Sequence, residues 1–101
     1  KDVVISGGEN IYPAEVENEL MAHSSIVDCA VIGVPDDKWG ETVLAVIVID
    51  PSYFSEINVK AFLKSRLAGF KIPKEFKIVD ALPRNAAGKV TKTELRERFY
   101  D

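Results

Sequence analysis

The sequence is poor in the residues on which most catalytic machinery depends. It has one cysteine, one histidine, one methionine and one tryptophan in 101 residues. A single cysteine, Cys29, excludes a disulfide framework within the chain. It sits in the apolar run VDCAVIGV, which suits a buried, inert thiol in a reducing compartment. The one histidine, His23, falls on a different expected element, so no Ser-His-Asp or Cys-His set can be assembled. No apolar run reaches the roughly 18 residues that mark a membrane span. The opening KDVVISGGEN carries a turn and no secretory signal pattern, so a cytoplasmic location is expected. Dinucleotide and P-loop fingerprints are also missing. There is no G-x-G-x-x-G, and PRNAAGKV has Pro83 where the P-loop frame needs glycine and Val90 after its lysine. Asp36, Asp37 and Glu41 match no calcium-loop spacing and are read as a solvated loop, so no metal site is expected.

What is present describes an ordinary globular domain. Hydrophobic residues make up 47% and charged residues 29%, enough for one domain with one modest core. The net charge of −3 hides a segregation. Residues 1–59 carry 11 acidic and 2 basic side chains, whereas residues 60–101 carry 11 basic and 5 acidic. The basic half can attract phosphates. The acidic half disfavours sequence-general nucleic-acid binding.

Local patterns predict a β-hairpin over DVVISGGENIY, turning at Gly7-Gly8. A helix follows from Pro13 to Ala22 and a strand from Ile26 to Val34, which Pro35 ends. TVLAVIVID predicts a central strand covered on both faces. Asn58 is placed to cap a second helix with Val59, Phe62, Leu63 and Leu67 on one face, and Gly69 to end it. KEFKIV predicts a third strand. Thr91 and Glu94 have capping-box spacing, with Val90 and Leu95 at the staple positions of a last helix. The fold class is therefore α+β: a small three-stranded sheet flanked by helices and preceded by a short N-terminal hairpin.

The candidate functional residues each have two readings. Gly7 and Gly8 make a tight turn, or let a backbone pass close to a ligand. Lys89 solvates a surface, or stabilises a carboxylate or phosphoryl oxygen by positioned charge. Trp39 and Phe70 pack into the core, or stack on a nucleobase, with packing the expected outcome.

The stretches KDVVISGGENIYPAEVE, VIGVPDDKWGE, FLKSRLAGFKIPKEF and LPRNAAGKVTKTELR, in this order, resemble the C-terminal domain of acyl-CoA synthetases. These belong to the adenylate-forming superfamily, with firefly luciferase and peptide-synthetase adenylation domains. The resemblance spans essentially the whole chain and implies that residues 1–101 are a single C-terminal lid domain. The large N-terminal domain, expected to hold most of the ATP (with Mg2+) and acyl pocket, is absent from this chain. It implies an ATP-dependent acid–thiol ligase, fatty or aryl acids as substrates and coenzyme A as acceptor, with the isolated domain inactive. Residue by residue, Lys89 matches the catalytic lysine of acyl-adenylate formation. Gly7, Gly8 and Glu9 match the hairpin that lines the pantetheine channel. Trp39, Phe70 and Lys74 match positions that hold the CoA nucleotide, although Ile72 stands where some CoA ligases have arginine. Lys1 matches the hinge. The alternative is an interaction or binding module derived from such a lid and without catalysis.

Overall fold

The computed structural model describes residues 2–100. Lys1, the expected hinge, lies outside them. Strands β1 (Val4–Ser6) and β2 (Glu9–Ile11) pair antiparallel as the expected hairpin. Gly7 and Gly8 take φ angles of 57° and 83°, the left-handed pair that a two-residue hairpin turn requires. Helix α1 (Pro13–Met21) follows with Pro13 at its start, where a missing N–H costs nothing. Then come β3 (Ile26–Asp36), β4 (Gly40–Ile49), α2 (Glu56–Lys64), a 3-10 turn at Gly69–Lys71, β5 (Glu75–Ile78) and α3 (Lys92–Phe99).

β4 is the centre of the sheet. It runs antiparallel to β3 along its length and parallel to β5 through Leu44–Ile47. β1 bridges the other end of the same β4 edge at Ser6–Gly40. The sheet thus has five strands where three were expected, because the hairpin joins it instead of standing apart. The α+β architecture itself is as the sequence implied.

Side-chain alternation along β3 and β4 divides the core into two layers. Cys29, Val31, Val43, Ala45 and Ile47 face Val16, Leu20, Val59 and Leu63 of α1 and α2. Ala30, Ile32, Val34, Leu44 and Val46 face Val79, Leu82 and Leu95, the last from α3. A strand buried on both faces reads as a continuous apolar run, which is why TVLAVIVID lacks polar alternation. Each fully buried Val, Leu or Ile contributes about 1.5–3 kcal/mol relative to exposure. Leu95, fully buried, anchors α3, and Phe99 of the same helix packs partly buried against that layer.

Four local expectations are corrected. Pro35 does not end β3, because β3 lies at the sheet edge, where a missing donor is tolerated. The cap of α2 is Ser55, whose Oγ accepts the Asn58 N–H at 3.3 Å. α2 ends at Lys64, and Gly69 instead opens the 3-10 turn. Thr91 occupies the N-cap of α3 but makes no capping bond, and its buried Oγ1 has no partner among the described residues. Its backbone carbonyl accepts the Glu94 N–H at 3.1 Å instead.

Candidate functional site

Lys89 stands on a closed loop. Arg84 and Val90 pair as an antiparallel bridge, and the Thr91 N–H donates to the Pro83 carbonyl at 3.0 Å. Inside that bracket the Asn85 N–H donates to the Lys89 carbonyl, and the Gly88 N–H to the Asn85 carbonyl, each at 2.9 Å. Asn85 Oδ1 accepts two further N–H groups, from Ala87 and Lys89, both at 3.0 Å. Gly88 makes the turn at φ 85°, a conformation costly for any residue with a Cβ. Arg84 then ties the loop to the sheet: Nη1 donates to the Gly88 carbonyl at 2.7 Å and Nη2 to Asp28 Oδ2 at 2.5 Å. The Lys89 side chain is exposed and enters no ion pair among the described residues. The outcome is a free cation on a braced backbone. Sequence reasoning located Lys89 but missed Asn85 and Arg84. The Asn two residues before Ala87 is the signal that could have found the side-chain turn.

The base of this loop is also held. Lys92, at the start of α3, reaches Asp2 at 2.5 Å and Glu17 at 2.9 Å. Glu17 Oε2 in turn accepts the Val31 N–H at 2.8 Å. The N-terminal segment, α1, β3 and α3 are therefore joined through one largely buried ammonium.

The hairpin builds a second region. Gly7 donates its N–H to the Trp39 carbonyl at 2.9 Å, and the indole lies against its Cα. A Cβ on Gly7 would come within 2.8 Å of Trp39 Cε3. A Cβ on Gly8 would meet nothing within 4 Å, so Gly8 turns open backbone to solvent. Ser6, Gly7, Glu9, Trp39, Phe70 and Lys74 line a recess of about 270 Å³. This gathers Gly7 and Glu9 of the hairpin with Trp39, Phe70 and Lys74, while Gly8 sits beside the recess. Trp39 and Phe70 are 40% and 44% exposed, so neither is the core residue that packing predicted. Lys74 Nζ lies 5.7 Å from the Trp39 ring centre. Lys74 also lines a neighbouring, larger recess with Lys60, Lys64, Gly69, Ile72 and Pro73. The α2 lysines of that recess were not singled out from sequence, since helix-surface lysines are common.

Lys89 lines neither recess. Its loop is tied to Asp28 at the start of β3, whereas the hairpin meets Gly40, opposite Asp36 at the end of β3. Those two positions are about 25 Å apart along an extended strand.

Other chemistry-bearing side chains are structural. Burial pushes the Cys29 thiol up to about 12, with the Glu17 and Asp28 carboxylates adding to the effect and Lys92 partly offsetting it. Its S–H faces the Glu17 carbonyl at 3.6 Å. His23 Nδ1 accepts from the Ser25 N–H at 3.1 Å and lies 2.9 Å from its hydroxyl. That fixes the proton on Nε2, which donates to Asn58 Oδ1 at 2.8 Å. Of the three expected loop carboxylates, Asp37 lies on an exposed turn as expected, whereas Asp36 ends β3 and Glu41 belongs to β4. Asp36 Oδ1 accepts the Lys38 and Trp39 N–H groups, and Glu41 is half-buried on β4. Among the described residues no three His, Cys, Asp or Glu side chains converge on a metal position, and no helix is long and apolar enough to cross a membrane.

Known proteins share this fold. Residues 15–89 match the AMP-binding enzyme C-terminal domain family. Feruloyl-CoA synthase from Amycolatopsis is 53% identical over 98% of this chain and 20% of its own length. The fatty acid–[acyl-carrier-protein] ligase ScoC from Streptomyces coeruleorubidus is 43% identical over 99% of this chain and 20% of its own. The solved structure of a Mycobacterium tuberculosis fatty acyl CoA synthetase superposes with a TM-score of 0.94 at 44% identity, covering 98% of this chain and 20% of that one. The chain spans about a fifth of the length of the relatives it matches.

Proposed function

The chain belongs to the AMP-binding enzyme C-terminal domain family, and from that premise we propose that it is the mobile C-terminal lid of an ATP-dependent acyl-CoA ligase. In the first half-reaction a carboxylate oxygen attacks the α-phosphorus of ATP, and pyrophosphate leaves. In the second, the CoA thiol sulfur attacks the acyl carbon, and AMP leaves. A large N-terminal domain supplies most of the ATP and acyl pocket and any Mg2+ ligands. An aryl or fatty acid substrate is in keeping with the feruloyl-CoA synthase and the fatty acyl CoA synthetase among the relatives.

Lys89 acts in the first step. Negative charge passes from the carboxylate to the phosphate oxygens there, and a positioned cation lowers the barrier because it need not reorganise as charge shifts. The observation that carries this role is the braced loop: an exposed ammonium, in no ion pair among the described residues, carried on a backbone that the Asn85 and Arg84 hydrogen bonds hold. The hairpin acts in the second step, with Gly7, Gly8 and Glu9 along the pantetheine arm. Trp39, Phe70 and Lys74 hold the nucleotide, and Lys60 and Lys64 extend the basic wall beside Lys74. An aromatic recess next to a basic one suits a nucleotide with several phosphate groups.

Because the Lys89 loop is tied to Asp28 near one end of the β3–β4 pair and the hairpin to Gly40 at the other, a rigid lid presents one of them at a time to a common cleft. A pivot at Lys1 between the half-reactions meets that constraint. The test uses the full-length ligase. Lys89→Ala lowers pyrophosphate exchange by about 10²- to 10³-fold while thioester formation from supplied acyl-adenylate persists. Gly8→Leu does the reverse. Equal loss of both half-reactions in either folded variant overturns the assignment.

A further inference from the structure

We infer that Glu41 is a positioning residue for the thioester-forming step: its carboxylate holds the hairpin in register above the central strands. The inference rests on the pantetheine-channel role proposed for the hairpin. Glu41 Oε1 accepts the Ile5 N–H at 2.9 Å, across from β4 to β1. This is where the sheet ladder needs help. β1 pairs with β4 through Ser6–Gly40, and Gly7 is held by the Trp39 carbonyl at 2.9 Å. The Ile5 N–H would otherwise have only water. A carboxylate acceptor makes the stronger, charge-assisted bond.

The neighbouring strand is shaped for that carboxylate. Gly33, buried on β3, has no steric need of its own to be glycine: its φ is not left-handed. A Cβ there would sit 2.8 Å from Glu41 Oε2 and 3.1 Å from Val4 Cγ1. Gly33 thus leaves the space that the Glu41 side chain fills under β1. The missing side chain on one strand, the carboxylate of the next and the backbone of the hairpin form one stack. Ser6, Gly7 and Glu9 line the aromatic recess, so a shift of β1 displaces that edge relative to Trp39.

The experiment compares Glu41→Ala, Glu41→Gln and Gly33→Ala in the full-length ligase, with the amides of Ile5 and Gly7 followed by hydrogen exchange. In Glu41→Ala the Ile5 amide exchanges about tenfold faster, and kcat/KM for CoA falls about 10- to 100-fold. Pyrophosphate exchange stays within about twofold of wild type. Glu41→Gln, which keeps an acceptor oxygen, restores most of both. Gly33→Ala expels the carboxylate and reproduces the Glu41→Ala phenotype, and the double variant adds nothing further. Unchanged Ile5 exchange in folded Glu41→Ala overturns the inference. So do equal losses in both half-reactions, or additive effects in the double variant. Gly8→Leu separates the two levels. If it impairs the CoA step and Glu41→Ala does not, only the positioning role fails; if neither does, the channel reading fails with it.

Discussion

Replacing Asn85 by alanine isolates the loop's rigidity from the charge it carries. Asn85 Oδ1 accepts the Ala87 and Lys89 N–H groups, both at 3.0 Å, and alanine removes both bonds. The backbone bonds between Asn85 and Lys89 and between Gly88 and Asn85 remain. The freed donors lie on exposed residues and can bind water, so no buried donor is left unsatisfied and the fold persists. Two such bonds at roughly 0.5–1 kcal/mol each give about 1–2 kcal/mol of lost loop order. That converts to a factor of about 5 to 30 in the ratio of ordered to open loop, the upper bound on the loss of the population holding Lys89 in place. Pyrophosphate exchange by the full-length ligase is therefore expected to fall, by up to about 30-fold. The loss is smaller than the 10²- to 10³-fold expected for deleting the ammonium itself. Thioester formation from supplied acyl-adenylate is expected to be unaffected. Gly88→Ala, forced to φ 85°, strains the same loop by another route and changes exchange in the same direction. Wild-type exchange in Asn85→Ala, beside a strongly impaired Lys89→Ala, would refute the claim that bracing matters.

Two further predictions follow from the recesses and the core. Lys60→Ala combined with Lys64→Ala raises KM for CoA about 3- to 10-fold at low salt, with less effect at high salt. The same change in use of a carrier-protein-bound pantetheine would instead point to an acidic protein surface as the partner of these lysines. Cys29 resists iodoacetamide at neutral pH in the folded protein and reacts in denaturant, because its thiol is pushed up to about 12. An unfolded cysteine ionises near about 8.5, so unfolding releases a proton in the interval between. Stability conferred by the protonated thiol therefore declines as pH rises through that window, and denaturant midpoints of Cys29→Ala measured across it lack this component.

The elements were legible where a local rule acts alone. Gly7-Gly8 requires a hairpin, Pro13 starts a helix, and an unbroken apolar run requires a strand covered on both faces. Signals decided by tertiary context were not. Whether Pro35 breaks a strand depends on β3 being an edge, and whether the hairpin stands apart depends on a vacant stretch of β4. Ser55 and Asn58 both have capping chemistry, and His23 claims the second. The site divided in the same way. Lys89 could be placed before a helix, but Arg84 bracing depends on Asp28, far away in sequence. Trp39 and Phe70 have core chemistry, and only the packed fold shows that they are half exposed around one recess.

In the proposed mechanism Lys89 is carried on a braced loop to the reacting phosphate. The measurement closest to it is a structure of the full-length ligase trapped with a non-hydrolysable acyl-adenylate mimic. One captured pose is expected to hold Lys89 Nζ about 2.7–3.1 Å from a carboxylate or phosphate oxygen, with the loop from Arg84 to Val90 unchanged. Lys89 Nζ directed into bulk solvent in every captured pose would contradict it.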